Sequence, residues 1–265
     1  MRQSRVLQKI RSGKVARLCA LGSYLPYFPT VAVHAGYDGI WVDGEHKPFD
    51  PREVQALIAF HHLADIDCLW RPPTREKPAL YRILEDGATG LIIPHVENVA
   101  EARALVQAMR FPPLGNRGLD GAGFDAKYGF SGVKDYPAAA NRETVLFVQL
   151  ETPEALEQVE AIAAIDGVDG IFLGPGDMAL RLGCDPSSSD PKMAAVHRRI
   201  NAAVTLHSKA WGRPVISDPD LEQTLQAGAR FVVYGAEVRL IRAGLKQCGE
   251  KLDRLLGDRS SAAGA

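Results

Sequence analysis

The feature that most constrains the fold is an alternation of short apolar runs, polar turns and helical stretches that repeats along the whole chain. Such an alternation is typical of a parallel sheet whose strands are connected by helices. Eight runs are predicted to be strands: 15–21, 39–43, 67–71, 90–94, 144–151, 169–174, 213–217 and 230–234. Eight such units in 265 residues predict a single α/β domain, a (β/α)8 TIM barrel.

Amphipathic periodicity predicts the connecting helices. A further helix over 238–256 is expected to close the barrel or to reach a neighbouring subunit, and the Gly-, Pro- and Asp-rich stretch 112–141 to form a functional loop or lid. The barrel domain is predicted to span 1–257, followed by a flexible tail over 258–265. The predicted connecting helices cover 51–64, 78–86, 99–110, 153–165, 191–210 and 220–229.

Charge and composition indicate a small-molecule partner. The 31 basic and 32 acidic residues nearly cancel, and neither sign forms a long block. A nucleic-acid or membrane-surface binder is therefore not expected. No segment approaches 18 consecutive apolar residues, and a cytoplasmic protein is predicted. The four cysteines lack the spacing of a zinc or redox motif and are interpreted as reduced thiols: Cys19, Cys68, Cys184 and Cys248.

Polar side chains follow the predicted strands at their carboxyl ends, which is where barrel enzymes carry their catalytic groups. The strand predictions depend on apolar runs and the site predictions on side-chain chemistry, so their agreement is informative. The residues are Asp43, Glu45 and His46 after the second strand, Arg71 at the third, Glu151 at the fifth and Asp177 after the sixth.

Glu151 and Asp177 follow neighbouring strands and are candidate ligands of one divalent cation. With two protein ligands the ion would keep waters or a bidentate substrate, which suits Mg²⁺, Mn²⁺ or Co²⁺ better than structural zinc. The alternative is that each acid caps the helix that follows it.

His46 lies three residues after Asp43, a spacing at which a tight turn would let the carboxylate hold the imidazole as a general base. Most histidines in loops are solvent-exposed, and several of the others are expected to be of that kind. These are His61, His62, His95, His197 and His207.

Arg71 precedes Pro72-Pro73, which fixes its backbone direction, and its guanidinium suits a carboxylate or a developing enolate oxygen. The alternative is an ion pair with a structural acid such as Glu45. Backbone N–H groups of Gly174-Pro175-Gly176 are candidates for binding a substrate carboxylate. No predicted strand contains a lysine, which argues against a Schiff-base aldolase, and no phosphate-binding loop is evident, which favours an unphosphorylated keto acid.

Five ordered motifs, spread over about residues 5–245, resemble the HpcH/HpaI aldolase family. They are Asp43-Gly44-Glu45-His46, Arg71-Pro72-Pro73, the segment from Arg110 to Gly118, Gln149-Leu150-Glu151-Thr152 and the segment from Gly167 to Asp177.

The resemblance implies a class II pyruvate aldolase, which cleaves a 4-hydroxy-2-keto acid to pyruvate and an aldehyde. It implies that Glu151 and Asp177 bind the divalent metal, that His46 supported by Asp43 acts as the base through a water, and that Arg71 stabilises the enolate. It also implies Gln149 beside the waters of the metal, a homo-oligomer (trimer or hexamer) with an exchanged terminal helix, and Asp86 reaching a neighbour's site.

Two departures from the family pattern concern the acceptor. Met178-Ala179 replaces a Leu-Ser pair, and 119–128 differs from the common small-residue pattern. One alternative is therefore the same metal-enolate site used for oxaloacetate decarboxylation or for condensation with another acceptor. A third reading, a non-catalytic ligand-binding barrel, is disfavoured because a binding module needs no metal together with a base.

Overall fold

The computed structural model describes residues 1–130, 132 and 134–257. Eight parallel strands pair in chain order and close into a barrel, so the predicted (β/α)8 fold is confirmed. The predicted tail over 258–265 lies outside the described residues. The strands are β1 (Ala16–Leu21), β2 (Gly39–Asp43), β3 (Asp67–Arg71), β4 (Gly90–Ile93), β5 (Val145–Leu150), β6 (Gly170–Leu173), β7 (Ala210–Val215) and β8 (Phe231–Ala236).

Helices connect these strands, and several begin with Pro in the first turn, where its missing N–H is no loss. They are α1 (Arg5–Arg11), α2 (Phe28–His34), α3 (Pro51–Leu63), α4 (Lys77–Glu85), α5 (Val99–Met109), α6 (Tyr136–Glu143), α7 (Pro153–Glu157), α8 (Val159–Ala163), α9 (Pro175–Leu182), α10 (Pro191–Leu206), α11 (Asp218–Gln226) and α12 (Glu237–Leu256).

Three sequence predictions need correction. The seventh strand begins at Ala210 rather than at 213, because Ser208 (φ 54°) ends the helical path after α10 and Trp211 is fully buried in the sheet. The single helix expected over 153–165 is two short helices, separated at Gln158 where ψ is 8°. The stretch 112–141 is not wholly irregular, since α6 begins within it.

The interior of the barrel is packed with side chains. Phe147 of β5 stacks on Phe231 of β8 with ring centroids 4.2 Å apart. Val6 and Leu7 of α1 join the same cluster as Ala16, at the start of β1, and so close the N-terminal end of the barrel. The opposite end, where the strands terminate, is the mouth; it receives the polar residues that the sequence indicated.

The last helix, α12, has one buried residue, Glu237, and otherwise presents large apolar side chains to solvent, among them Leu245. Within the described part of the chain, no helix combines the length and the apolar character that crossing a membrane would require.

Candidate active site

Glu151 follows β5 directly, and its residue is 2% exposed at the mouth of the barrel. One carboxylate oxygen, Oε2, accepts a hydrogen bond from Gln149 Nε2 at 2.6 Å, and Oε1 accepts one from the backbone N–H of His95 at 2.9 Å. The neighbouring helix α7 is capped by Thr152, whose Oγ1 accepts from Ala155 N. The alternative interpretation of Glu151 as the cap is therefore wrong.

Asp177 lies in the first turn of α9, and its side chain is 49% exposed and 3.2 Å from Arg181 Nη1. The N-cap residue of this helix is Gly174, which has no side chain to cap it. A Cβ at Gly174 would lie 2.7 Å from Glu151 Oε2, so only glycine permits this approach. The helix that carries Asp177 thus starts against the Glu151 carboxylate.

Arg71 ends β3 with 5% of its surface exposed. Its Nε and Nη2 lie 3.0 and 2.8 Å from Asp43 Oδ1, and its Nη1 lies 2.9 Å from Glu45 Oε2. The guanidinium carbon stands 4.5 Å from the centre of the Trp41 ring. The pairing with Glu45 that the sequence left open is present, and it holds the guanidinium at the mouth in one orientation.

The predicted contact between the Asp43 carboxylate and the His46 imidazole is wrong. Asp43 Oδ1 instead accepts from the backbone N–H groups of Glu45 and His46, at 3.1 and 3.2 Å, because the turn after β2 folds its amides onto the carboxylate. The His46 side chain is 63% exposed, and its Nε2 lies 3.7 Å from Glu45 Oε2. Asp43 therefore shapes the loop, and the imidazole remains free to reach a substrate.

His95, which was expected among the solvent-exposed histidines, belongs to the site. Its Nδ1 lies 2.6 Å from Glu151 Oε1 and its Nε2 lies 2.7 Å from Glu45 Oε1. It follows Pro94, at the carboxyl end of β4. The strand-end rule that selected Arg71 would have selected it too.

Two further predicted residues lie in different surroundings. Gln149 is buried in the site, and its Oε1 has no hydrogen-bond partner among the described residues. Asp86 directly follows α4, accepts a hydrogen bond from Gln55 Nε2 at 2.9 Å and lines a groove between α3 and α4. Burial and nearby acids raise the pKa of its neighbour Glu85.

The family model for HpcH/HpaI aldolase/citrate lyase matches residues 21–243. The chain belongs to this family. Its membership confirms the resemblance stated above and the predicted class of enzyme, an aldolase acting on a carbon–carbon bond.

Similar HpcH/HpaI proteins cover nearly the whole chain. A hydroxypyruvate/pyruvate aldolase of Roseovarius nubinhibens is 34% identical over 90% of this chain and 92% of its own. A 2-keto-3-deoxy-L-rhamnonate aldolase of Escherichia coli is 32% identical over 91% and 90%. The crystal structure of an HpcH/HpaI aldolase from Desulfitobacterium hafniense superposes with a TM-score of 0.87 at 25% identity, covering 96% of this chain and 98% of that one.

The donor set of this HpcH/HpaI site fits a divalent cation with an incomplete protein shell. Glu151 and Asp177 would supply carboxylate oxygens, and the unpartnered Gln149 Oε1 is suited to accept a hydrogen bond from a water. No group of three or more His, Cys, Asp or Glu side chains in residues 1–130, 132 and 134–257 is arranged to hold a metal. An ion held by these two carboxylates alone would keep its remaining positions for water and substrate.

Proposed function

We propose that the protein is a divalent-metal-dependent aldolase that reversibly cleaves a 4-hydroxy-2-keto acid to pyruvate and an aldehyde. The observation that carries the proposal is the Glu151 carboxylate, nearly buried at a strand end, held on both oxygens by N–H donors and adjoining the start of the helix that bears Asp177. The names of the two aldolase relatives support a 2-keto acid substrate.

Glu151 and Asp177 would hold Mg²⁺, Mn²⁺ or Co²⁺. When bound, such a cation is a Lewis acid that draws electron density from the keto carbonyl of the substrate. None of the eight strands contains a lysine, which leaves a Schiff-base route without its amine. Backbone N–H groups at the start of α9, around Gly176, are suited to the substrate carboxylate because a helix N-terminus favours negative charge.

His46 and Arg71 would carry the proton and the charge. In the cleavage direction His46 Nε2 accepts the proton of the C4 hydroxyl, directly or through one water, as the C3–C4 bond breaks and its electron pair passes into the enolate. Arg71 presents fixed positive charge toward the enolate oxygen. Transfer of this proton from His46 to C3, directly or through water, then gives pyruvate and restores the base. Asp43 serves by holding both the Arg71 guanidinium and the loop of His46.

The test is metal removal with defined acceptors. Protein dialysed exhaustively against EDTA should consume no pyruvate with any aldehyde of a panel, and added Mn²⁺ or Mg²⁺ should restore the reaction. Full turnover by metal-free protein would reject the proposal. Oxaloacetate is included because the two departures from the family pattern, at 178–179 and 119–128, concern the acceptor. Decarboxylation without aldehyde-dependent consumption of pyruvate would favour the alternative reaction.

We also propose a homo-oligomer, a trimer or hexamer, in which α12 packs on a neighbouring subunit and Asp86 reaches a neighbour's site. The exposed apolar side chains of α12 support this, because an apolar surface of this kind is usually buried against another protein chain. Light scattering should give a mass of three or six chains, and Leu240→Asp with Leu245→Asp should reduce it. The exposed residues of α12 include Val238, Leu240, Ile241 and Leu245.

A cytoplasmic location remains our proposal as well. Every cysteine of the chain lies in the described part, and none is in a disulfide. This is the usual state of thiols in a reducing compartment.

A further inference from the structure

One histidine links three separate segments at the mouth of the barrel. His95, in the loop after β4, lies 2.7 Å from Glu45 Oε1 in the loop after β2 and 2.6 Å from Glu151 Oε1 at the end of β5. Through Glu45 the same chain of contacts continues to Arg71. The imidazole therefore joins the carboxylate proposed to bind the metal to the guanidinium proposed to face the enolate.

The backbone at His95 is held in an unusual conformation. Its φ is 54°, in the left-handed region that few residues with a Cβ adopt. The surroundings fix it from both sides, because its N–H donates to Glu151 Oε1 at 2.9 Å and its carbonyl oxygen accepts from Arg75 Nη1 at 2.8 Å. Strained backbone that is fixed in this way is frequent at functional sites. The conformation aims the ring across the mouth.

The charges around the ring explain why it is needed. Three carboxylates, those of Asp43, Glu45 and Glu151, meet at the mouth, and Arg71 pairs with the first two of them only. Without the His95 ring, Glu151 Oε1 would keep the backbone N–H of residue 95 as its partner, and the ring would no longer bridge it to Glu45 Oε1. A carboxylate that binds a metal generally depends on such outer partners for its orientation.

We infer that His95 is a positioning residue that fixes the Glu151 carboxylate for the divalent metal and ties it to Glu45. This inference rests on the proposed function, since it concerns the same metal. His95 is not assigned as a ligand, because the described residues include no three-group metal cluster. It differs from Gln149, which holds the other carboxylate oxygen, in also connecting to a second loop.

Two variants separate the parts of this role. His95→Gly removes the ring, fits a positive φ without strain and keeps the backbone N–H that donates to Glu151. His95→Asn also tolerates this conformation, and its amide superposes on the Nδ1 side of the imidazole, so it retains the contact with Glu151 and loses that with Glu45. His34→Asn, on the exposed face of α2, is the matched control.

The measurement is the Kd of full-length protein for Mn²⁺ by calorimetry without substrate, together with kcat and the Mn²⁺ concentration for half-maximal activity. We expect His95→Gly to raise the Kd about 10- to 100-fold, and kcat at saturating Mn²⁺ to fall much less. His95→Asn should recover most of the affinity, and the control should match the wild type. Thermal melts in EDTA check that each variant is folded.

Two results would overturn the inference alone, and a third would also reject the proposed function. Equal Mn²⁺ affinity in the wild type and His95→Gly would show that the ring does not position Glu151. Tighter binding by His95→Gly would show that the ring competes with the metal. If the wild type itself bound neither Mn²⁺ nor Mg²⁺, the proposed function would fall and the inference with it.

Discussion

The two ends of the barrel use the same kinds of side chains with different outcomes. At the N-terminal end, the buried carboxylate of Asp67 accepts from Ser4 Oγ at 2.6 Å, Val6 N at 2.9 Å and Arg5 N at 3.2 Å, and it pairs with Arg2. Every partner comes from the first six residues of the chain. Both Asp67 oxygens are occupied by donors of the protein, although Arg2 Nε has no partner among the described residues, and the network fastens α1 over the bottom of the barrel.

At the mouth, the network is incomplete. Asp43, Glu45 and Glu151 share one arginine and one half-exposed histidine, and the buried Gln149 Oε1 lacks a partner among the described residues. A carboxylate that is fully paired within the protein stabilises the fold, whereas a group of carboxylates that outnumbers its cationic partners can bind a cation together with a substrate. The comparison agrees with the division of barrel enzymes into a stability face and a catalytic face.

The largest expected effect comes from the mouth. Glu151→Gln keeps the size of the side chain and removes a charged ligand, so kcat/KM for aldol cleavage should fall roughly a thousandfold or more. Removing one of three neighbouring negative charges offsets part of the hydrogen bonding that is lost, so the free energy of unfolding in urea should change by less than about 1 kcal/mol. If Glu151→Gln lost much stability but kept its activity, the catalytic role assigned to the mouth would be wrong.

The matching change at the bottom should do the opposite. Asp67→Asn leaves the charge of Arg2 without its buried partner and should lower the free energy of unfolding by about 3 kcal/mol. Activity per folded molecule at 25 °C should stay near that of the wild type. Asp65→Asn is the control, because the Asp65 side chain is 61% exposed and pairs with the same arginine. Its effect should be about 0.5 kcal/mol.

A smaller effect concerns the pH dependence of the free energy of unfolding. It extends the comparison to a third cluster, formed by His197 and Arg213. Burial first, and the charge of Arg213 second, lower the pKa of His197 to about 4. Arg213 Nη1 lies 3.1 Å from His197 Nε2, so a proton added there would face a guanidinium. The unfolded chain takes up this proton near pH 6.5, about the ordinary histidine value. Stability should therefore be full above about pH 6.5 and decline as the pH falls toward 4.

The expected loss from this histidine is about 2 kcal/mol at pH 4.5. Urea unfolding between pH 7.5 and 4.5 measures it, and His197→Gln, which keeps an acceptor for Arg213 but does not titrate, should flatten the slope by that amount. His61, also buried with its pKa lowered to about 4, should add a similar slope of its own. An unchanged slope in His197→Gln would contradict the assignment.

The fold was largely predictable because strand and helix periodicities leave a direct trace in the sequence. All eight strands lie where apolar runs occur, with shifts of a few residues at their ends. The shift was largest at β7, because the helix predicted over 191–210 included Ala210, which is the first residue of the strand. Ser208, with its positive φ, separates the two elements, and no periodicity records that conformation.

The sequence predicted which residues lie at the carboxyl ends of the strands, but it did not predict which atoms their side chains contact. Strand-end logic found Glu151 and Arg71, yet the spacing of Asp43 and His46 did not reveal whether the carboxylate binds the ring or the backbone N–H. The same logic would have selected His95 after β4, but the left-handed φ that turns its ring across the mouth leaves no trace in the sequence. Such features arise from tertiary packing, which a single sequence does not encode locally.

The most direct test of the central claim is the exchange of the pyruvate methyl protons for deuterium in D₂O, without any aldehyde. Mass spectrometry measures the deuterium that pyruvate takes up. This measures enolate formation alone, independently of the acceptor. We predict exchange by the wild type with Mn²⁺, none after EDTA treatment, and none by Glu151→Gln at any Mn²⁺ concentration. Exchange at the wild-type rate in EDTA, or by Glu151→Gln, would contradict a metal held by this carboxylate.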